Sequence, residues 1–85
     1  MSLSKKQKKL ALILFHDEYN SCALVTELIA NILSYEGTQA ESCANTIYNR
    51  GFCIVKSFVS NQRAEAESIR DIFIKSGIQA SIQLY

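Results

Sequence analysis

The residues best suited to chemistry are a histidine and two acids in the segment FHDEYNSCALV, residues 15–25. His16, Asp17 and Glu18 directly follow the apolar run LALILF, and a second apolar segment begins shortly afterwards. A carboxylate in such a connection can pair with a cation, or it can favour the positive end of the following helix. The segment therefore indicates either a polar loop of structural purpose or a loop that binds a positively charged group.

The same residues are poor candidates for catalysis or for binding a metal ion. His16 is the only histidine, and the sequence contains neither a Gly-x-Ser-x-Gly elbow nor a glycine-rich phosphate loop. Three adjacent residues rarely converge on one ion, and a second histidine is missing. We therefore expect no enzymatic activity, no metal and no cofactor.

Three cysteines, Cys22, Cys43 and Cys53, occur without a CxxC pair. An odd number without such a pair is typical of reduced thiols in a cytoplasmic protein. Each has apolar neighbours, which favours a role as a small buried residue. A hydrolase in which His16 activates a cysteine stays an alternative, and it requires a reactive thiol.

The chain has 85 residues, of which 48% are hydrophobic and 20% charged, which is typical of one globular domain. Four lysines fall within the first nine residues, so five basic residues face eight acids over residues 10–85, a net charge of −3. We predict a flexible basic tail over residues 1–9 and a domain over residues 10–85. The acidic domain argues against nucleic acid as a partner, and no apolar run approaches the ~20 residues of a membrane span.

The spacing of apolar residues predicts the element order βααβαβ. Strands are expected over residues 9–15, 52–59 and 78–85, and helices over residues 22–35, 38–50 and 63–76. We expect Asn20 or Ser21 to cap the first helix, and TQAE (38–41) to form a capping box. Each of the three glycines is predicted just past a helix end, and Ala66, Ile69, Ile72 and Phe73 are predicted on the buried face of the third helix. The predicted fold class is α+β, a mainly antiparallel three-stranded sheet with helices on one face.

Nearly the whole chain resembles the ClpS family, the small bacterial adaptors that hand substrates to the Clp chaperone–protease. The resemblance lies in ILFHDEYNSCALVTELIANILSY, residues 13–35, followed by IYNRG and the strand FCIVKSF. In that family the loop after the first strand binds the first residue of proteins that begin with a bulky hydrophobic amino acid. The resemblance implies that Asp17 pairs with the ligand's α-ammonium and that Val25 lines the apolar pocket.

Other positions of the family's site carry different residues in this sequence. The resemblance places His16 where the family has an asparagine and Tyr48 where it has a histidine, and both family residues are partners of the ammonium. Asn20 stands where the family has a threonine in the loop. His16 could accept a hydrogen bond only when neutral. Cys22 and Ala44 stand where the family has two methionines in the pocket, and these smaller side chains fill less of the pocket. Ile47 keeps an apolar lining. The resemblance thus implies a ligand site formed by His16, Asp17, Asn20, Cys22, Val25, Ala44, Ile47 and Tyr48.

We therefore predict a cytoplasmic adaptor that recognises N-terminal hydrophobic residues and presents them to a Clp-type AAA+ unfoldase. The family's chaperone-contacting acid and lysine have no clear counterparts in VSNQRAEAE, residues 59–67. The alternative is a diverged interaction module that has lost end recognition and acts as an anti-adaptor or a self-associating domain. A scaffold alone does not decide between these functions.

Overall fold

The computed structural model describes residues 9–85. The predicted basic tail lies outside the described residues apart from Lys9, which begins the first strand. The elements are β1 (Lys9–Phe15), α1 (Cys22–Leu33), α2 (Gly37–Arg50), β2 (Phe52–Val59), α3 (Arg63–Lys75) and β3 (Ala80–Leu84), with a short 3-10 turn over Ser60–Gln62. The predicted βααβαβ order is confirmed.

β1 is the central strand of an antiparallel sheet with the strand order β2-β1-β3. Leu10, Leu12 and Leu14 are fully buried and belong to the core that the helices cover. Ala11 and Ile13, on the other face of the strand, are 2% and 9% exposed. The predicted fold class, a three-stranded sheet with helices on one face, is confirmed.

A bulge in β2 is stabilised by a side chain from the connection between α1 and α2. The pairing of β1 with β2 shifts between Leu12 and Ile13, whose partners are Lys56 and Ile54, so that Val55 has no partner. The Tyr35 hydroxyl donates a hydrogen bond to the carbonyl oxygen of Val55. The extra residue of a bulge leaves the ladder locally unpaired, and Tyr35 satisfies the carbonyl group of that residue.

The connection between α1 and α2 differs from the prediction at both helix ends. α1 ends at Leu33, and Ser34 adopts the left-handed conformation with φ of 59°. Gly37 does not terminate α1, because it is the first residue of α2. The predicted TQAE capping box is wrong, because Glu36 is the N-cap and makes no side-chain cap bond, so that Thr38 already lies inside the helix.

The other two glycines follow helix ends as predicted. Gly51 and Gly77 both have φ of 94°, and the Gly51 N–H donates to the carbonyl oxygen of Ile47 over 2.8 Å. The left-handed conformation at these two positions favours glycine because it carries no Cβ. The two turns bring β2 and β3 back alongside β1.

α3 is buried along a narrower stripe than its apolar residues predict. Ala66 and Phe73 are fully buried and Ile69 is partly buried, but Ile72 is 46% exposed. Successive residues of a helix differ by about 100° in direction, so Ile72 and Phe73 cannot both point into a thin core. No helix within residues 9–85 is long and apolar enough to cross a membrane.

β3 is shorter than the predicted strand over residues 78–85. The Ile78 N–H donates to the Phe73 carbonyl oxygen over 3.0 Å and thereby completes the end of α3. Ile78 is nevertheless buried, whereas Leu84 is half exposed at the far end of the strand. The period-two pattern predicted the strand but not its ends.

Candidate functional site

The loop between β1 and α1 begins where the sheet ends, and both neighbouring strands hold its start. The Phe15 N–H donates to the Gln79 carbonyl oxygen over 3.0 Å, and the His16 N–H donates to the Gly51 carbonyl oxygen over 2.8 Å. Because both turns contribute an acceptor, the backbone at His16 is fixed before the chain leaves the sheet. The following polar residues are therefore presented at one end of the sheet.

The Asp17 carboxylate organises this loop. Its Oδ1 accepts hydrogen bonds from the N–H groups of Tyr19 and Asn20, each over 2.8 Å, and its Oδ2 accepts one from Asn20 Nδ2 over 2.8 Å. A carboxylate has about four acceptor positions. Three hydrogen bonds therefore leave room for one further donor, on Oδ2.

Asn20 connects this carboxylate to the turn between α3 and β3. Its Nδ2 also donates to the Gly77 carbonyl oxygen over 3.0 Å. Of the two predicted cap residues it is Ser21 that caps α1, because the Ser21 Oγ accepts the hydrogen bond from the Leu24 N–H over 3.1 Å. Asn20 thus positions Asp17 rather than the helix.

The surroundings of Asp17 favour its charged form. Burial by itself would raise the pKa of this carboxyl group, but hydrogen bonds from the Asn20 side chain and from the Asn20 and Tyr19 N–H groups outweigh burial. His16 adds a favourable charge interaction, and the pKa is lowered below its ordinary value. The carboxylate is therefore ionised at neutral pH.

The ring of His16, the residue before Asp17, contacts the ring of Tyr48 on α2. Their ring centroids are 4.8 Å apart and the planes stand at 83°, an edge-to-face arrangement. The His16 side chain is exposed and Tyr48 is 47% exposed. The two aromatic residues thus lie together at the surface.

Cys22 lies at the N-terminus of α1 and contacts α2. Its thiol donates to Asn45 Oδ1 over 3.3 Å. Sequence reasoning missed Asn45, although it lies three residues before Tyr48 on α2, a spacing that places both side chains on neighbouring parts of one helix face. This hydrogen bond joins the start of α1 to α2, about one helical turn from Tyr48.

The other three predicted pocket residues lie within the hydrophobic core. Val25 is 6% exposed, Ala44 is fully buried and Ile47 is 2% exposed. The structure thus brings His16, Asp17, Asn20 and Tyr48 to the surface, with Cys22 partly buried and Val25, Ala44 and Ile47 beneath. The polar rim is accessible, and the apolar lining is closed.

Elsewhere, an open apolar depression of about 320 Å³ lies at the connection between α3 and β3. Its lining residues are Ile74, Gly77, Ile78, Gln79 and Ala80, and none of the predicted site residues contributes to it. Among residues 9–85 no group of three His, Cys, Asp or Glu side chains could hold a metal ion. The polar groups at the end of the sheet therefore form the best candidate site of the described chain.

Comparison with known proteins gives a family and a fold. The model of the family described as "ATP-dependent Clp protease adaptor protein ClpS" matches residues 5–72. A solved structure of Agrobacterium tumefaciens ClpS2 bound to L-phenylalaninamide is similar with a TM-score of 0.76 and 13% identity, covering 94% of this chain and 100% of that chain. A comparison with curated proteins found no match.

The two matches carry different weight. At 13% identity the likeness to the solved structure shows the fold alone. The family model, by contrast, covers most of the sequence and includes the loop, α1, α2, β2 and most of α3. This protein therefore belongs to the ClpS family of adaptor proteins of the ATP-dependent Clp protease.

Proposed function

We propose that this Clp adaptor recognises the free α-amino group and the bulky hydrophobic first residue of substrate proteins in the cytoplasm. It presents these N-terminal segments to a Clp-type AAA+ unfoldase for degradation, and no cofactor takes part. The observation that carries the proposal is the acceptor position of Asp17 that no donor within residues 9–85 fills, next to His16, whose ring contacts the exposed Tyr48.

The chemistry of the rim suits an ammonium group. An α-ammonium has three N–H donors, and an ionised carboxylate is its strongest partner. Asp17 Oδ2 supplies one acceptor, and the neutral imidazole of His16 and the hydroxyl oxygen of Tyr48 supply two more. Binding is expected to weaken when His16 becomes protonated, because the imidazole then loses its acceptor and gains a like charge.

The apolar side chain of the ligand requires a space between α1 and α2. Val25, Ala44 and Ile47 are the apolar residues beneath the rim, and Ala44 is the smallest of them. We propose that the Tyr48 ring and the Cys22–Asn45 contact move apart to admit the side chain. Both lie at the surface side of the two helices, so the core residues themselves need to shift little.

The expected affinity is modest. Burying a Leu or Phe side chain contributes about 1.5–3 kcal/mol, and each hydrogen bond to a charged group about 1.5–3 kcal/mol. After the cost of association, two or three such hydrogen bonds correspond to a roughly micromolar dissociation constant. The ligand of Agrobacterium tumefaciens ClpS2, L-phenylalaninamide, combines an aromatic side chain with an α-amino group and so supports this choice of ligand class.

The proposal is tested by titrating the full chain with peptides that begin with Leu, Phe, Tyr or Trp, each beside its N-acetylated copy. Asp17→Asn removes the charge and keeps a carbonyl oxygen that can accept the loop N–H groups. Glu18→Gln is the matched control, because it removes the neighbouring exposed charge, for which no hydrogen bond is found within residues 9–85.

We expect the free peptides to bind at least about tenfold more tightly than the acetylated copies, the effect of about one charged hydrogen bond. Asp17→Asn should lose this difference and Glu18→Gln should keep it. Equal binding of free and acetylated peptides, or an equal effect of both variants, would contradict the proposal.

A second candidate function is an interaction module that does not read chain ends. The full burial of Ala44 and near-full burial of Ile47 favours it, because no open space lies over these residues for a side chain to occupy. In that case none of the peptides binds at any accessible concentration.

A further inference from the structure

Two partly buried cysteines of this protein, Cys43 and Cys53, lie on α2 and β2, two elements that pack against each other. Gly51 turns the chain between these two elements, and α2 packs on β2. Cys43 lies about 10 Å from the end of α2, at 1.5 Å per helical residue over seven residues. Cys53 lies about 10 Å from the same point along β2, at 3.3 Å per strand residue. The reversal of the chain therefore places the two residues at the same height.

Both side chains also point into the same layer. Cys53 pairs with Leu14, a core residue of β1, and therefore lies on the helix-covered face of the sheet. Cys43 belongs to the face of α2 that buries Ala40, Ala44 and Ile47. Both thiols are partly buried and packed against the core.

The ionisation of the neighbouring groups agrees with this placement. Burial, followed by the charge of Cys43, raises the pKa of Cys53 to about 11, and the Cys53 thiol donates to the Ile54 carbonyl oxygen over 3.6 Å. Burial raises the pKa of Tyr35 as well, and Cys43 and then Cys53 add to it. Tyr35 therefore lies close to both thiols.

We propose that Cys43 and Cys53 are a redox modification site, at which hydrogen peroxide converts the two thiols into a reversible disulfide that joins α2 to β2. Cys22 takes no part, because its thiol lies at the start of α1 and contacts Asn45. The proposal is independent of ligand binding at the Asp17 rim.

The chemistry proceeds in two steps. Because Cys53 stays protonated at neutral pH, Cys43 is the sulfur that attacks peroxide; the O–O bond breaks, Cys43 becomes a sulfenic acid, and one water leaves. Cys53 then attacks the Cys43 sulfur, and the displaced hydroxide takes up the Cys53 proton as a second water. Two thiols are oxidised and one peroxide is reduced to two waters.

The test is peptide mapping of the folded, reduced chain after peroxide treatment and alkylation of the remaining thiols. Cleavage after both basic and glutamate residues separates the three cysteines into different peptides, 19–27, 42–50 and 51–56. We expect peptides 42–50 and 51–56 to be joined, with the loss of two hydrogen atoms, and peptide 19–27 to be alkylated. A reducing agent should separate the joined peptides.

Variants and a stability measurement sharpen the test. Cys22→Ser should keep the disulfide, whereas Cys43→Ala and Cys53→Ala should each abolish it. The disulfide should raise the melting temperature of the wild type by about 10 °C, the effect of closing a loop of this length in a small domain. A disulfide that includes Cys22, or a disulfide between two chains, would overturn the proposal. Oxidation of Cys43 alone, with Cys53 left as a free thiol that becomes alkylated, would also overturn it.

Discussion

At the scale of single residues, Asp17 has a structural and a proposed functional role in the same side chain. Three of its acceptor positions hold the loop, and the fourth has no donor among residues 9–85. An acid whose only role was to hold this loop would have the same three bonds, so its geometry alone does not separate the two roles. The neighbouring side chains of His16 and Tyr48 supply the distinction, because they add two further acceptors at the same edge.

Tyr48→His restores an imidazole at the position where the ClpS family resemblance implies one. We expect this variant to bind free-amine peptides about tenfold more tightly, because a neutral imidazole is a better acceptor for an ammonium than a phenol oxygen. The measurement is a peptide titration at a pH where histidine is neutral. The control is Tyr19→His, because Tyr19 is 92% exposed.

An equal gain in both variants would show that added imidazole acts nonspecifically. Unchanged or weaker binding of Tyr48→His would contradict the assignment of Tyr48 to the ligand site.

The sequence indicated His16 and Asp17 by their residue types, but Tyr48 only through the family resemblance. Polar character and spacing indicated a loop at His16 and Asp17, but no local pattern connects His16 with Tyr48, which lies 32 positions further on. Their contact depends on the packing of α1 against α2. Asn45 was missed for the same reason, because an asparagine on a helix surface is ordinary until its partner across the interface is known.

At the scale of elements, the helix ends explain most differences between expectation and structure. Glycine is the preferred residue for the left-handed conformation that ends helices, so Gly37 was the natural choice for the end of α1. The chain instead places Ser34 in that conformation, three residues earlier. Because α1 ends early, Gly37 becomes free to begin α2, and Thr38 can no longer act as its cap.

Ser34→Gly is therefore expected to stabilise the protein. A non-glycine residue in the left-handed conformation costs about 1 kcal/mol, and the substitution removes this cost. Glycine loses more conformational entropy on folding than serine, which offsets part of the gain. We therefore expect the free energy of unfolding to rise by about 0.5 kcal/mol. Denaturant unfolding measures this change. Ser76→Gly is the control, since Ser76 has φ of −83° and its Oγ donates to the Ile72 carbonyl oxygen.

The control should lose stability, because it removes a hydrogen bond without relieving backbone strain. A loss of stability in Ser34→Gly as large as that in Ser76→Gly would be inconsistent with the conformation at Ser34.

The strands were easier to predict than the helix ends. LALILF shows no alternation because β1 is central and buried on both faces. The edge strand β3 alternates in sequence, but its burial instead decreases along the strand, from the half-buried Ala80 to the exposed Leu84. The exposure of Ile72 could not be read from the local sequence, since it depends on how wide a stripe of α3 the sheet covers.

At the scale of the whole molecule, the small core couples stability to the thiol cluster of Tyr35, Cys43 and Cys53. The pKa of Cys53 rises from 9.0 to about 11 on folding, and that of Tyr35 is also raised. Above pH 9 the unfolded chain releases protons that the folded chain retains. Folding stability from these groups is therefore fully present below pH 9 and is lost as the pH rises towards 11.

We accordingly expect the free energy of unfolding to fall between pH 9 and pH 11 under reducing conditions. These limits are the ordinary pKa of Cys53, 9.0, and its raised pKa in the folded chain, about 11. Cys53→Ala should make this fall shallower, because it removes the group with the largest shift. Cys22→Ser, which changes a cysteine outside the cluster, should keep the fall of the wild type. A wild type of constant stability across this range would contradict the burial of the cluster.

The most direct test of the central claim is an NMR titration of the full chain with a peptide that begins with phenylalanine. The amides of Tyr19 and Asn20 are the reporters, because both donate to Asp17 Oδ1. We expect these two resonances to shift and saturate with the free-amine peptide and to stay in place with its N-acetylated copy. Equal shifts with both peptides, or shifts confined to the depression around Ile74 and Ile78, would contradict the central claim.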